Sequence, residues 1–461
     1  MVSAFPEVED RLSWGRVHRA RHRLARPTHP RAAADALAAR GDRSVLGFGL
    51  GRSYGDSCLN PGGLLIETPG LDRLLAFDPE RGILRAEAGC TLADLLVTVV
   101  GRPAPGGGVW CLPVSPGTRF VTLGGAIAND VHGKNHGLAG SFGRHVLALR
   151  LLRSDRGLLD CGPEREGELF RATIGGLGLT GLILEVTLRL ERVPGLLLEV
   201  EDRRFDDLEG FYRLVEDSTA WPYTVAWVDC LARGPRLGRG IFSRARHLEG
   251  GPPGPMPPAE PRLAVPFAPP VSPLNRWTLG AFNALLWRRL GRAGRRVRTL
   301  PWHRFLYPLD AIEGWNRLYG ARGFHQHQCV VPPKTAPETV RRLLETIAGS
   351  GQGSFLAVLK TLGPLPSPGL LSFPMEGTTL ALDFPERGAA TAALLDRLDR
   401  IVLEAGGRLY PAKDGRMSAE VFRAGFPAWR RLAAAADPAF SSAFWRRVGP
   451  AADRPALERA A

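Results

Sequence analysis

The sequence predicts an α+β protein of two or three domains, and three observations predict it. Its 461 residues and 50.0 kDa are more than one small core holds. Over the first 195 residues or so, short strand-like runs alternate with glycine-rich turns and no βαβ repeat develops. From about residue 196 to 406, strands of alternating character are broken by two helices, the pattern of a sheet with helices on one face.

Residues 44–49 and 62–68 read as strands between glycines, and 83–89 alternates apolar and polar side chains at period two. Thr91 is a good N-cap for a helix beginning at Leu92. Residues 182–190 form a clear strand. In the second region 223–229, 324–331, 355–360 and 379–384 read as strands, and 336–347 and 389–405 as helices. Between Glu249 and Pro273 prolines crowd too densely for packed structure, so a mobile loop is expected there. The tail from Arg408 holds one strand-turn unit and a helical end.

Composition excludes several classes. Apolar content of 44% and charge of 23% are ordinary for a globular protein and rule out a wholly disordered chain. The longest nearly unbroken apolar stretch near the centre, 279–287, contains Asn283 and falls short of the roughly 20 residues of a membrane span. The N-terminus carries acids and no apolar stretch, so no secretory signal is read and a cytoplasmic or peripheral inner-membrane location is expected. Six cysteines without a CxxC read as reduced thiols. The net charge is +14, and half of it lies between Arg276 and Arg298, where seven arginines meet no acid. Trp277, Leu279, Phe282, Leu285, Leu286 and Leu290 interleave with them, as on an interfacial helix at anionic lipid or beside a solvated cationic face. No nucleic-acid module accompanies the charge, so no nucleic acid is expected as partner.

Three glycine-rich loops carry the chemistry: 47–56, 116–136 and 175–181. Glycines let main-chain N–H groups approach phosphate oxygens closely. The third loop contains GxGxxG at Gly176, Gly178 and Gly181, but a strand follows it where a dinucleotide fingerprint needs a helix. No P-loop is present.

The segments GRSYGD (51–56), PGTR with VTLGGAIA and HGKNH (116–136), GSFG (140–143) and GLTG (178–181) resemble the vanillyl-alcohol-oxidase superfamily of FAD enzymes. With YPLD (307–310), LSFP (371–374), LDFP (382–385) and GGRLYPAKDGR (406–416), the chain is similar more narrowly to the decaprenylphosphoryl-β-D-ribose 2′-oxidases. The resemblance implies a two-lobed, PCMH-type FAD-binding domain from 1–195, an antiparallel substrate domain from 196–406, and a segment 407–461 that completes the FAD domain. It implies FAD held by Gly47, Phe48, Gly49, Leu50, Gly51, Arg52, Ser53, Tyr54, Gly55, Asp56 and Ser57 of the first loop. Gly117, Thr122, Leu123, Gly124, Gly125, Asn129, Asp130, Val131, His132, Ile183 and Tyr410 would join them. Many members link the flavin to a histidine where this chain has Arg52, so the FAD is expected to be non-covalent.

By the same resemblance Lys413 stands beside the reacting hydroxyl as base or anchor, with Tyr54 and His132 near the flavin ring. Lys134, Gln326, Gln328, Lys360, Thr379 and Ala381 would line the substrate pocket. Gln326 and Gln328 share one face of a strand, as sugar ligands or as the solvent side of an edge. Lys134 and Lys360 would neutralise a phosphate. Thr379 and Ala381 replace the family's asparagine and cysteine, which bears on the sugar more than on the flavin. His132 and His136 lack a third ligand, so no metal is expected. The implied reaction oxidises the 2′-hydroxyl of a polyprenylphosphoryl ribose to the keto sugar, and an NADH-type reductase then completes epimerisation to the arabinose donor for cell-wall arabinan. Oxidation of another sugar, alditol or aldonolactone is the alternative enzyme reading, and a flavoprotein-fold binder of lipid-linked sugar the non-enzyme one.

Overall fold

Period-two alternation at 182–190 becomes Leu182–Arg189, the middle strand of an antiparallel five-stranded sheet. Its neighbours are Ile83–Glu87 and Val146–Arg153, with Leu74–Asp78 and Gly157–Cys161 at the edges. Leu84, Val186 and Leu188 drive it against the helix Leu92–Thr98, which Thr91 and Asp94 close with a reciprocal capping box. A smaller sheet orders Glu7–Leu12, Arg19–Ala25, Leu64–Glu67 and Val45–Phe48, and the last three run parallel. The two lobes share a core in which Leu152, Leu182 and Leu184 meet Val45, Leu64 and Ile66. The computed structural model of the chain describes residues 7–250 and 263–453.

The second region builds an eight-stranded antiparallel sheet. Its order is Arg295–Pro301, Leu197–Phe205, Gly240–His247, Tyr223–Val228, Val358–Leu362, Gly377–Pro385, Phe324–Val331 and Arg408–Leu409. Helices Leu208–Glu216, Ala336–Ser350 and Ala389–Glu404 cover one face. The second of these buries Val340, Leu343, Leu344 and Ile347, one stripe at helical spacing. After Arg408–Leu409 the tail crosses back to the first lobe, where Val45 N–H donates to Ala439 O at 2.7 Å and Ala443 N–H to Leu59 O at 2.8 Å.

Two expectations are corrected. The arginine-rich segment is not one helix: Arg276–Arg288 is helical, and Arg295–Pro301 is the edge strand of the large sheet. Gly291 and Gly294, at φ +60° and +62°, turn the chain between them. In the strand, Arg295 and Arg298 pair with Glu201 and Asp202 at 2.5 and 3.0 Å, so part of the concentrated charge is neutralised. Of the stretch expected to be a mobile loop, 251–262 lies outside the described residues. Its continuation is exposed but bonded to the rest of the chain through main chain: Leu263–Ala264 pairs in parallel with Ile312–Glu313, and Pro269 O accepts from Ala321 N–H.

Candidate active site

Between the two lobes and the uncovered face of the large sheet lies a cavity of about 1040 Å³. The strand Val45–Phe48 delivers the first glycine loop to its wall. Gly51 sits at φ +60°, and a Cβ on Gly49 would stand 2.6 Å from Thr122 Oγ1. That hydroxyl caps the helix Leu123–Ala128 by accepting from Gly125 N–H at 3.1 Å, so the first and second loops interlock through hydrogen-only side chains. Ser57 Oγ, on the same wall, is buried with no hydrogen-bond partner among the described residues. The lining carries Arg16, Arg52, Arg317, Lys360 and Lys413 against two acids, Asp310 and Glu313. An orphaned hydroxyl, a glycine cradle and a cationic balance fit a pyrophosphate-bearing dinucleotide such as FAD.

Of the residues expected to hold FAD, Gly47, Gly49, Leu50, Gly51, Arg52, Ser53, Tyr54 and Ser57 line the cavity. So do Gly117, Thr122, Gly124, Gly125, Asn129, Val131, His132, Ile183 and Tyr410. Five do not. Phe48 alternates to the other side of its strand and packs with Leu24, Leu46 and Leu65. Leu123 is fully buried in the core beneath its helix. Gly55 lies against the Asp414 carbonyl, Asp56 pairs with Arg447 at 2.7 Å, and Asp130 accepts from Gly143 N–H and the Ser372 hydroxyl. These three act on the loops from behind.

At the sheet end, Lys413 Nζ stands 3.7 Å from the centre of the Tyr54 ring and makes no hydrogen bond among the described residues. The turn bearing Lys413 is fixed to the Tyr54 loop: Tyr54 N–H donates to Ala412 O at 2.8 Å. Arg447, from the helix Ala443–Val448, bridges Asp56 and Asp414. Burial pulls the Lys413 amine below its ordinary value, and burial raises Asp383 nearby, although the charge of each opposes the shift of the other. Asp383 accepts from Gln326 Nε2 at 2.6 Å and Tyr319 OH at 3.0 Å.

His132 is held by neighbours on both nitrogens, Lys360 Nζ 3.2 Å from Nδ1 and Gln328 Nε2 3.1 Å from Nε2. Burial and then the Lys360 charge push its pKa well down, so the ring is neutral. Lys360, brought to about 7 by burial, also donates to Gly133 O at 3.0 Å. Gln326, Gln328, Lys360, Thr379 and Ala381 all line the cavity. Lys134 does not: its ammonium donates to Phe305 O and Leu306 O, both at 2.8 Å, and so is committed to main chain rather than free for a phosphate.

Sequence reasoning passed over Asp383, Tyr319, Trp14 and Arg447. An aspartate at the alternating, inward position of the apolar run LDFP was the available signal for Asp383, because a buried carboxylate needs partners. Arg447 had no such signal, since its two acids are 391 and 33 residues away.

The family described as FAD binding domain matches residues 22–162. The decaprenylphosphoryl-β-D-ribose oxidase of Mycolicibacterium smegmatis is 37% identical over 97% of this chain and 99% of its own length. An uncharacterised protein of Streptomyces coelicolor is 38% identical over 74% of this chain and 96% of its own. The L-gulonolactone oxidase of Mus musculus is 31% identical over 33% of each chain.

Proposed function

Since this chain belongs to the family of decaprenylphosphoryl-β-D-ribose oxidases, we propose that it oxidises the 2′-hydroxyl of decaprenylphosphoryl-β-D-ribose, or a related polyprenylphosphoryl ribose, to the 2′-keto sugar. It is an FAD-dependent oxidoreductase acting on a CH–OH group. The observation that carries the site assignment is the unbonded Lys413 amine over Tyr54, opposite two strand glutamines, at one end of a glycine-cradled cavity.

Bound in that cradle, FAD supplies the two-electron acceptor for the reacting carbon. The residues of the chain do the rest. Lys413 takes the hydroxyl proton; burial disfavours its charged form and so leaves the amine neutral and able to act as a base. Gln326 and Gln328 hold sugar hydroxyls, and Lys360, which unlike Lys134 lines the cavity and keeps one of its three N–H donors beyond His132 and Gly133, offers it to the substrate phosphate. Tyr54, His132 and Tyr410, stacked on Phe373 at 4.5 Å, wall the reacting end from water. Arg52 donates to Phe120 O at 3.0 Å and lies over Trp14, so it supports a non-covalent flavin. Thr379 and Ala381 leave a wall without a thiol. The keto product then requires a separate reductase of NADH type to give the arabinose epimer.

The test is anaerobic: a polyprenylphosphoryl ribose added to the yellow protein should bleach the flavin band, and denaturation should release all the flavin. A yellow protein that bleaches only with free alditols or aldonolactones would overturn the substrate assignment. The pH dependence has two limbs. Because Lys413 loses its proton below the 10.5 of a free lysine, flavin reduction at saturating substrate should rise with pH and level off below that value. Substrate binding should weaken above about 7, where Lys360 loses its charge. A reduction rate that falls through the rising limb would exclude Lys413 as base.

No helix among the described residues is long and apolar enough to cross a membrane. We propose peripheral contact with anionic lipid through the helix Arg276–Arg288 and the strap before it, extending the proposed contact beyond Arg276–Arg298. Trp277, Leu285, Phe267 and Val271 are 72%, 73%, 70% and 80% exposed, and Arg288, Arg292 and Arg296 make no ion pair among the described residues. The strap pairs with Ile312–Glu313, two of the residues that line the cavity, so a lipid-linked substrate held there would lie close to the proposed contact. Sedimentation with phosphatidylglycerol vesicles should capture the protein, and the double change Trp277→Ser and Leu285→Ser should release it. Equal capture by neutral vesicles would contradict the electrostatic part.

A further inference from the structure

Asp383 lies on the same face of its strand as Thr379 and Ala381, which line the cavity, yet it does not reach the cavity itself. Gln326, directly opposite it in the register, covers it. Asp383 is fully buried, and its two oxygens are both taken: Oδ1 accepts from Gln326 Nε2 at 2.6 Å and Oδ2 from Tyr319 OH at 3.0 Å. Tyr319 is clamped between Phe324 and Phe355, with ring centres 4.1 and 5.7 Å away, so that donor cannot swing aside. The Asp383 main-chain N–H is fixed as well, donating to Ser354 Oγ at 3.1 Å.

A carboxylate can only accept, so the side of the Gln326 amide that faces it must be the NH₂ group. The carbonyl oxygen is then turned away from Asp383, and Gln326 lines the cavity. With two lone pairs, that oxygen can accept from a donor brought into the cavity.

We infer that Asp383 is a positioning residue that fixes the polarity of Gln326, so that the substrate pocket presents an acceptor and selects a ring substituent that donates. This rests on the proposed sugar-oxidase reading and goes beyond it. Asp383 does not touch the sugar. It decides whether the pocket asks for a hydroxyl or for an acceptor in its place, one of the two ribosyl hydroxyls, 3′ or 5′, that are not oxidised.

Fluorine replaces a hydroxyl closely in size but cannot donate. The test therefore compares dissociation constants for polyprenylphosphoryl ribose and for its 3′-fluoro and 5′-fluoro analogues, read from perturbation of the flavin spectrum of the holoenzyme. The wild-type protein is expected to bind one fluoro analogue about tenfold or more weakly than the parent. In Asp383→Asn the new amide faces Gln326 with its own NH₂, Gln326 turns over, and that discrimination should shrink or reverse. Tyr319 can still donate to the asparagine oxygen, so the aromatic clamp is retained. Because each ratio is taken within one protein, lost charge beside Lys413 cancels from it. Gln326→Leu should bring the ratio to near one.

A wild-type protein indifferent to both fluorines would overturn the inference even if Asp383→Asn does not fold. So would an Asp383→Asn protein with wild-type discrimination. A wild-type protein whose flavin the parent sugar neither perturbs nor bleaches would instead remove the sugar-oxidase reading.

Discussion

Anaerobic mixing of a Lys413→Met protein with a polyprenylphosphoryl ribose is expected to leave the flavin oxidised, with reduction slower by about 10²–10⁴-fold, the range general-base removal produces. FAD should remain bound, because its cradle is made by the glycine loops and not by Lys413. The two cavity lysines differ in what already holds them. Lys360 is committed to His132 Nδ1 and Gly133 O, whereas Lys413 Nζ has only the Tyr54 face and the charge of Asp383. An amine without a hydrogen bond in a protein interior is the one prepared to meet a substrate hydroxyl. Methionine keeps the bulk and removes the nitrogen. Stopped-flow absorbance reads the result, and reduction within a few-fold of wild type would take Lys413 out of the proton transfer.

The second large effect is expected from a single methyl group. In Gly55→Ala the new Cβ would lie 1.6 Å from the Asp414 carbonyl oxygen and 2.6 Å from Gly415 Cα. Gly55 has φ −104°, so alanine is not strained by its own backbone, and the whole cost is collision between two main chains. Neither can give way cheaply, since Arg447 ties Asp56 to Asp414 and Tyr54 N–H holds Ala412 O. Overpacking of this kind costs about 3 kcal/mol or more. The loop and the turn must part, and Tyr54 and Lys413 part with them, so flavin reduction should fall by about 10²-fold, as ångström misplacement of a reacting group does. Thermal unfolding and flavin reduction measured on the same preparation check both. An alanine protein with wild-type melting and wild-type rate would show that the contact does not govern the site.

The strands that frame the cavity were legible because their cores are apolar: 182–190 and 324–331 alternate or run hydrophobic, and Thr91 announces its helix. Leu197–Phe205 and Gly240–His247 were not, since their sequences, LLEVEDRRF and GIFSRARH, carry charges at inward positions. Glu201 and Asp202 are buried and take Arg244, Arg295 and Arg298 as partners from neighbouring strands, a compensation that no local window contains. The same limit governed the site. The glycine loops stood out from composition alone, whereas Lys413 and Tyr54 were singled out only through resemblance, and that the one lies over the other was not legible at all. Lys134 was misread because residue type told of a cation and not of the two carbonyls that hold it. Asp383 and Arg447 act through partners distant in sequence, and spacing has no purchase on those.

The bond between Asp56 and Arg447 spans 391 residues. During synthesis the loop bearing Tyr54 and the whole eight-stranded sheet, its last edge Arg408–Leu409 included, are made before Lys413, and the helix that locks that turn follows later still. Domains fold progressively as the chain emerges, yet the first lobe stays incomplete until the tail arrives, because Val45 and Leu59 bond to Ala439 and Ala443. Oxidising power thus arrives as the final act of assembly.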